Sequence, residues 1–358
     1  MNEDLWIAEG VERLALPSAG PLARLADGTL VSAGNDQAWV SRDGGGTWHG
    51  HPLFPGAAAR QSAEGSLVAT RAGTLVLSFL DLSRQSEFAW DPAAHDTPTD
   101  VSLPHCTLRS RDGGVTWGDL VTLHPDWTGD ARDLIELRDG RLVLTSMRLL
   151  HHPGRHSVLT YVSDDDGLTW TASNVIDLGG VGHHGGVTEA TVAELGDGRL
   201  WLLLRTNWGR FWQAFSEDRG TSWRTIGPSG IAASSAPGIL ARLASGRLLL
   251  VWNRPHPTDG SAPEMLGGDG QFSEVCASNH RRELSAALSE DDGGTWTPPV
   301  VVARSLNTDR DHGWLAYPHV LEVRPAVVWL VTMQGGLRVR LTEEVVLSGR
   351  DGHGTAGP

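Results

Sequence analysis

The chain has 358 residues, and its 29 lysine plus arginine residues against 43 acidic residues give a formal net charge of −14. All 29 cationic side chains are arginines, which excludes Schiff-base and lysine general-base chemistry. The acidic balance argues against nucleic acid or an anionic membrane as a partner. No apolar run approaches the roughly 20 residues that span a bilayer. We therefore expect a soluble protein, and a cytoplasmic one because residues 1–6 lack the start of a secretory signal.

Five octapeptides share the pattern Ser-x-Asp-x-Gly-x-Thr/Ser-Trp and are called boxes below. They occupy residues 41–48, 110–117, 163–170, 216–223 and 289–296. Ser and Asp side chains hydrogen-bond nearby backbone amides in turns, and glycine supplies a positive φ. The tryptophan then packs back on the strand. Each box therefore predicts the turn of a hairpin between two antiparallel strands.

A second repeated signal precedes each box, where a turn containing glycine leads into an apolar strand. It occurs at residues 27–30, 72–75, 139–142, 197–200 and 245–248. One repeat unit thus holds two hairpin turns and about four short strands, which is typical of a propeller blade.

In chain order, the five boxes predict five blades, and the strand-like runs 300–303, 327–332 and 337–341 predict a sixth. Residues 5–16 are expected to add a strand to that sixth blade, which closes the ring without open edges. The predicted fold is an all-β, six-bladed β-propeller formed as a single domain by residues 1–347. Residues 348–358, rich in glycine and without large apolar side chains, are expected to be a disordered tail.

Repeated Asp boxes in a six-bladed propeller resemble the sialidase (neuraminidase) superfamily over nearly the whole chain. In that family the boxes lie on the outer rim, so they indicate the fold and not the function. The resemblance implies arginines that bind a substrate carboxylate. It also implies a tyrosine nucleophile whose proton passes to a glutamate, and a carboxylic acid that protonates the leaving oxygen. The implied activity is hydrolysis of a glycoside of an acidic sugar, without a cofactor.

The late tyrosine required by this resemblance is Tyr317, which lies after all five boxes. The other tyrosine, Tyr161, precedes the third box and is interpreted as packing within a blade. Glu189 begins the first predicted strand of the fourth unit and Arg205 ends its second. Sialidases have a similar Glu-then-Arg arrangement in this blade, so the resemblance implies that Glu189 activates Tyr317 and that Arg205 binds the substrate.

A second substrate-binding arginine is expected before the fifth box, where Arg281 and Arg282 are adjacent. Adjacent strand residues face opposite ways, so one of the two is the expected ligand, and similarity to the family pattern favours Arg282. The first arginine of the family pattern has no counterpart, because residues 17–22 contain none in register. Arg13 and Arg24 lie near this stretch but do not match.

The proton donor is expected to be an aspartate in a loop near the mouth of the propeller. Asp36 follows the second predicted strand of the first unit, roughly where the family has this residue. Asp81 lies in the long loop of the second unit, and Asp91 in the same loop is an alternative. Asp36 and Asp81 are therefore the predicted catalytic aspartates.

Two histidines and two tryptophans complete the predicted site. His183 and His184 lie a few residues before Glu189 and are expected to bind substrate or transfer a proton, with a structural role as the alternative. No metal site is predicted, because adjacent strand residues face opposite ways and no third ligand is evident. Trp208 and Trp212 follow Arg205 and are expected to stack on a sugar ring, unless they pack in the core.

Three functions remain open at the level of sequence. The first is an exo-glycosidase for sialic acid or a related acidic sugar. The second is a polysaccharide lyase, in which a histidine and Tyr317 move protons beside a uronate carboxylate. The third is a carbohydrate-binding propeller without catalysis. All three have a carbohydrate as the partner, and the arginines favour an anionic one.

Overall fold

Six four-stranded antiparallel units form the framework of this computed structural model, which describes residues 4–54, 65–307 and 313–349. Blade 1 contains Leu22–Arg24, Leu30–Gly34, Gln37–Ser41 and His49–Pro52. Blade 2 contains Ser66–Ala69, Leu75–Leu80, His105–Ser110 and Gly118–His124. Blade 3 contains Leu134–Glu136, Leu142–Leu150, Arg155–Ser163 and Thr171–Ala172.

The second half of the ring repeats this plan. Blade 4 contains Val187–Glu194, Leu200–Thr206, Arg210–Ser216 and Arg224–Ala232. Blade 5 contains Ile239–Arg242, Leu248–Trp252, Glu283–Ser289 and Val300–Ser305. Blade 6 contains Ala316–Arg324, Val327–Gln334 and Arg338–Thr342. The predicted six-bladed, nearly all-β propeller is therefore confirmed.

The first strand of each blade lies innermost and contacts the first strand, or its neighbour, in the next blade. These contacts run in chain order from blade 1 to blade 6 and return to blade 1, so the ring is closed. The inner strands surround a central cavity of about 490 Å³. Because all the inner strands run in the same direction around this axis, the residues at their starts meet at one end of the ring.

The N-terminal segment closes the ring through two strands. Glu12–Arg13 pairs with Val339 and Arg340 and completes blade 6, as predicted. Leu5–Ile7 instead pairs with Val300–Ser305 and adds a fifth strand to blade 5. The assignment of residues 300–303 to the sixth blade was wrong, because each box turn joins the third and fourth strands of its own blade.

The boxes form the turns predicted for them. In the first, Asp43 accepts hydrogen bonds from the Ser41 hydroxyl at 2.8 Å, the Thr47 amide at 2.9 Å and the Thr47 hydroxyl at 2.8 Å. The glycine at the fifth position has a φ between 82° and 96° in all five boxes, a conformation that other residues rarely adopt. The backbone and side-chain hydrogen bonds from Thr47, with that from Ser41, lower the pKa of Asp43 to about 2.

The core lies between blades, so the central strands are buried on both faces. All six residues of Leu75–Leu80 are buried, and they form a nearly continuous apolar run instead of an alternating one. Between blades 3 and 4, Val143, Val192, Leu202 and Trp223 belong to one buried cluster. This packing holds the inner strands in fixed positions around the axis.

The segments outside the blades contain little regular structure in the described residues. There is a 3₁₀ turn at Leu82–Arg84 and one α-helix at Glu343–Leu347. A two-stranded ribbon pairs Met265–Leu266 with Ala277–Ser278 in the long insertion of blade 5. Residues 350–358 of the predicted tail lie outside the described residues. No helix that the structure describes is long and apolar enough to cross a membrane.

Candidate active site

A polar cavity of about 270 Å³ lies where the inner strands of blades 4 and 6 begin. Its polar side chains come from the starts of these strands, from blade 3 and from the loops before the inner strands of blades 3 and 4. They include Asp130, His156, His183, His184, Glu189 and Tyr317. Phe88 and Trp127 add aromatic surface to the wall. The cavity therefore combines side chains that can act as acids and bases with an aromatic surface on which a sugar ring can stack.

Glu189 and Arg205 are placed by a hairpin in blade 4. Glu189 is the third residue of Val187–Glu194, and Arg205 is the sixth of Leu200–Thr206. Thr188 pairs with Arg205 but Ala190 pairs with Leu204, so Glu189 is an extra residue in the ladder. Such a β-bulge changes the direction of a side chain. Here the carboxylate of Glu189 faces the guanidinium of Arg205 on the paired strand.

Glu189, Arg205 and Tyr317 form one hydrogen-bonded group. Arg205 Nη1 lies 2.7 and 2.6 Å from the two oxygens of Glu189, and its Nη2 donates to the Ser235 hydroxyl at 3.0 Å. The Tyr317 hydroxyl donates to Glu189 Oε1 at 3.0 Å, and Arg205 Nη1 lies 3.3 Å from the same hydroxyl oxygen. The phenol oxygen thus has a proton acceptor and a cation beside it.

Burial and the neighbouring charges determine the protonation states of Tyr317 and Glu189 in the absence of substrate. Burial raises the pKa of Tyr317 to about 12, and the Glu189 carboxylate adds to this while Arg205 and Arg281 oppose it. Burial also raises the pKa of Glu189, but the Arg205 charge and the hydrogen bonds from Thr188, Tyr317 and Arg205 prevail and hold it below its usual value. At neutral pH, Tyr317 is therefore a neutral phenol that donates to an ionised Glu189.

The structure places Arg281, and not Arg282, against Tyr317. The Arg281 guanidinium lies 5.6 Å from the centre of the Tyr317 ring and 4.8 Å from that of Trp314. It donates to the Ser235 carbonyl at 2.6 Å and to Gln334 at 3.2 Å. Arg282 donates to the Asn307 carbonyl instead. The prediction that Arg282 lies at the site was therefore wrong. Strand Glu283–Ser289 begins only after Arg281 and Arg282, so the alternation of side chains along a strand does not decide which of the two arginines faces the site.

Two charged residues before the inner strand of blade 3 were missed by the sequence analysis. Asp130 is 5% exposed and lines the cavity with Glu189 and Tyr317. The guanidinium of Arg132, which is 2% exposed, lies 5.0 Å from the centre of the Tyr317 ring. Their position in the repeat could have indicated them, because Glu189 and Tyr317 also lie where the inner strand of a blade begins.

The two aspartates predicted as proton donors lie elsewhere. Asp36 is a turn residue with a φ of 58° between the second and third strands of blade 1. Asp81 is buried, and its carboxylate accepts from the Ser83 amide at 3.1 Å and from Arg84 Nε at 2.5 Å. Asp91 accepts from the amides of a turn at Ala93 and Ala94. None of the three lines the cavity that holds Glu189 and Tyr317.

The predicted histidines line the cavity. Their Nδ1 atoms are 2.7 Å apart, and the ring of His184 stacks on Phe272 with centroids 4.3 Å apart. Burial lowers the pKa of both, and that of His184 falls well below its usual value. Both are therefore neutral near pH 7. Among the described residues, no group of three His, Cys, Asp or Glu side chains is arranged to hold a metal ion.

The two predicted tryptophans lie beside the cavity and do not line it. Trp208 and Trp212 pack edge to face, with ring centroids 5.1 Å apart. Trp212 also packs against the apolar cluster between blades 3 and 4, which supports the core alternative for this residue. The aromatic residues that do line the cavity, Phe88 and Trp127, were missed. Tyr161 is 5% exposed and packs within the core as predicted.

Comparison with known proteins agrees with this architecture. Residues 39–328 match the BNR repeat-like domain family. A sialidase from Micromonospora viridifaciens is 24% identical over 285 residues, which are 72% of this chain and 39% of that enzyme. The chain therefore spans well under half the length of this relative.

Two solved structures show the same fold. A protein of unknown function from Dyadobacter fermentans has a TM-score of 0.62 at 18% identity, covering 95% of this chain and 97% of its own. A Hadza microbial sialidase has a TM-score of 0.57 at 18% identity, covering 91% of this chain and 65% of its own. From the family match, the curated relative and the fold, the chain belongs to the BNR repeat-like domain family and is a sialidase-like BNR-repeat protein.

Proposed function

We propose that this protein is an exo-acting glycoside hydrolase that releases an acidic sugar, with Tyr317 as the nucleophile and Glu189 as its base. The observation that carries the proposal is the position of the Tyr317 hydroxyl, 3.0 Å from Glu189 Oε1 and 3.3 Å from Arg205 Nη1. An acceptor for the proton and a cation for the developing phenolate charge are the two requirements for activating a phenol.

The first chemical step forms a bond between the Tyr317 oxygen and the anomeric carbon while the bond to the leaving oxygen breaks. The phenol proton passes to Glu189. This transfer is concerted with attack, because a phenol with a pKa near 12 is not ionised at rest. The leaving oxygen takes a proton from a carboxylic acid, and we assign this role to Asp130, the other carboxyl group among the lining residues. Water then attacks the anomeric carbon and its proton passes to Asp130, while the bond to the Tyr317 oxygen breaks and Glu189 returns its proton to that oxygen.

The charges around Tyr317 favour an anionic sugar. Arg281 is 5% exposed and Arg205 is 2% exposed, so both cations lie in surroundings where an anion is held more strongly than in water. A sugar carboxylate would repel a carboxylate nucleophile but not a neutral phenol. The combination of a tyrosine nucleophile with buried arginines is therefore matched to a sugar that carries a negative charge near its anomeric carbon.

The test is a substrate screen on the wild-type protein. Fluorogenic glycosides of sialic acid and of other acidic sugars are compared with uncharged glycosides that carry the same leaving group, and uronate polymers are assayed in parallel. Release of the fluorophore from acidic glycosides alone supports the proposal. An unsaturated uronate product identifies a lyase and overturns it. Binding of acidic glycans with no product of either kind overturns it in favour of a binding propeller.

A further inference from the structure

The backbone at Tyr317 adopts a conformation that its sequence does not favour. Its φ is 62°, in the left-handed region that bulky residues rarely occupy. The neighbours Ala316 and Pro318 pair regularly with Gln334 and Thr332, so the departure is confined to Tyr317. Such a conformation costs free energy and persists only where surrounding contacts fix it. Contacts from elsewhere in the propeller are therefore needed to hold Tyr317 in this conformation.

Arg132 makes a contact to the main chain directly after Tyr317. It belongs to the loop before the inner strand of blade 3, opposite blade 6 in the ring. Its Nη2 donates to the Pro318 carbonyl at 3.0 Å, and its guanidinium carbon lies 5.0 Å from the centre of the Tyr317 ring. Arg132 thus reaches from blade 3 to blade 6 and contacts both the ring of Tyr317 and the carbonyl of the next residue, Pro318.

The burial of Arg132 is not explained by a contribution to stability. Its side chain is nearly inaccessible, its Nε lies 3.9 Å from Asp130, and neither Nε nor Nη1 has a hydrogen-bond partner among the described residues. A buried cation with unsatisfied N–H groups lowers stability relative to an apolar residue of similar volume. The contacts that Arg132 does make concern Pro318, Asp130 and Tyr317, which points to a role in the site.

We propose that Arg132 is a positioning residue, which holds the strained Tyr317–Pro318 main chain so that the phenol faces Glu189 and Arg205. Arg132 lines the central cavity, and its ring contact and hydrogen bond are to Tyr317 and to the Pro318 carbonyl, so we assign it an effect on catalysis through Tyr317. The kinetic part of this inference rests on the proposed glycosidase. The structural part does not, because the geometry of Tyr317 is observable without a substrate.

The two tyrosines of the chain make that geometry measurable. Protein labelled with ¹³C at the tyrosine ring carbon bearing oxygen gives one signal each for Tyr161 and Tyr317, and Tyr161→Phe assigns them. In Arg132→Met, the Tyr317 signal is expected to shift and its pKa to change, while the Tyr161 signal stays unchanged. Arg132→Lys, which keeps one donor for the Pro318 carbonyl, is expected to restore part of the wild-type shift.

Kinetics on an acidic glycoside provide the second measurement. Arg132→Met is expected to lower kcat by about 100-fold, as for misplacement of a reacting group by about 1 Å, with KM unchanged. Arg109→Met is the matched control. It removes another buried arginine, which lies in blade 2 and is paired with Asp119 of the same blade and with Asp166 in the box turn of blade 3. It should alter neither kcat nor the Tyr317 signal.

The outcomes separate this inference from the proposed function. An unchanged Tyr317 signal in Arg132→Met overturns the positioning role, as does a raised KM with unchanged kcat, which would make Arg132 a substrate ligand. If the wild type hydrolyses no glycoside, a shifted Tyr317 signal beside an unchanged Tyr161 signal still supports the positioning role while the glycosidase fails. If Arg132→Met does not fold, Arg132→Lys takes its place: because a lysine ammonium does not reproduce the planar guanidinium, the Tyr317 signal is still expected to shift, by less, and an unchanged signal overturns the positioning role.

Discussion

The Tyr317 hydroxyl lies between a carboxylate and a guanidinium, and a single oxygen atom therefore carries the proposed chemistry. Tyr317→Phe removes that oxygen and keeps the ring and its contacts with Arg132 and Arg281. We expect this variant to keep the stability of the wild type and to lose activity by at least roughly 10²–10⁴-fold. A fluorinated acidic glycosyl fluoride should label Tyr317 in the wild type, and peptide mass spectrometry checks the site. Labelling of any other residue would reassign the nucleophile.

Glu189→Gln is expected to have a more complex result. The amide accepts no proton from Tyr317, so turnover should fall by roughly 10²–10⁴-fold. It also leaves Arg205, which is 2% exposed, without its counter-charge. Removing one member of a buried ion pair costs about 3–5 kcal/mol. Because glutamine keeps the size of glutamate and can still hydrogen-bond to Arg205, we expect Glu189→Gln to lower the free energy of unfolding by at most about 3 kcal/mol. Urea unfolding should therefore separate Glu189→Gln from Tyr317→Phe, and equal stabilities would show that the ion pair contributes little.

Two neighbouring arginines provide a test of substrate charge. Arg281 lies over the Tyr317 ring, whereas Arg282 donates to the Asn307 carbonyl. Arg281→Met is expected to lower kcat/KM on an acidic glycoside by roughly 10-fold to 150-fold, since a charge-assisted hydrogen bond contributes about 1.5–3 kcal/mol. Arg282→Met should have little effect. The measurement is kcat/KM on acidic and uncharged glycosides, and an equal loss on both would contradict binding of the carboxylate by Arg281.

At the scale of elements, the boxes stabilise the rim and stand apart from the site. In blade 3, Asp165 accepts hydrogen bonds from the Ser163 hydroxyl, the Thr169 amide and the Thr169 hydroxyl. Asp165→Ala is expected to cost about 1–2 kcal/mol, a value reduced by the exposure of this turn. Activity should not change. The matched control is Asp197→Ala in an exposed turn, and equal losses of unfolding free energy in the two variants would contradict a special role for the box.

The elements that the sequence predicted well are those with a repeated local signal. Each box and each glycine turn fixes a hairpin, so the blade count, the inner strands and the pairing of Glu189 with Arg205 could be predicted. Arg281 and Asp130 could not, because they precede their strands, where neither alternation nor a repeat applies. The fourth strand of blade 5 was misplaced although the fifth box marks it. A box turn joins the third and fourth strands of one blade, so residues 300–303 pair with Glu283–Ser289 and do not start the sixth blade.

At the scale of the whole molecule, burial of histidines makes the stability of the propeller depend on pH. Burial strongly lowers the pKa of five imidazoles in blades 2, 3 and 6 and in the loop before blade 4, to about 4 for two of them and well below the usual value for the others. These residues are His105, His124, His156, His184 and His319. In the folded protein at pH 5 these side chains are neutral, whereas an unfolded histidine has a pKa of about 6.5.

One buried carboxyl group opposes this effect. Burial raises the pKa of Asp133 to about 6, against hydrogen bonds from Thr191 and Val192. Between pH 6 and 4 the folded state therefore binds a proton on Asp133 that the unfolded state does not. The carboxylates with lowered pKa, Glu189 and the box aspartates among them, have the opposite sign but act only below about pH 4.5.

We therefore expect unfolding near pH 5 to take up a net of about four protons, five at the histidines against one released from Asp133. Since the unfolded state binds more protons, the free energy of unfolding should fall as the pH drops from 6.5 to 5, by about 1.4 kcal/mol per pH unit for each proton. Urea unfolding between pH 7 and 5 measures this slope. His124→Gln should reduce it by about one proton, whereas substitution of the exposed His49 should not. A free energy of unfolding that stays constant across this range would show that the buried imidazoles are protonated in the folded propeller.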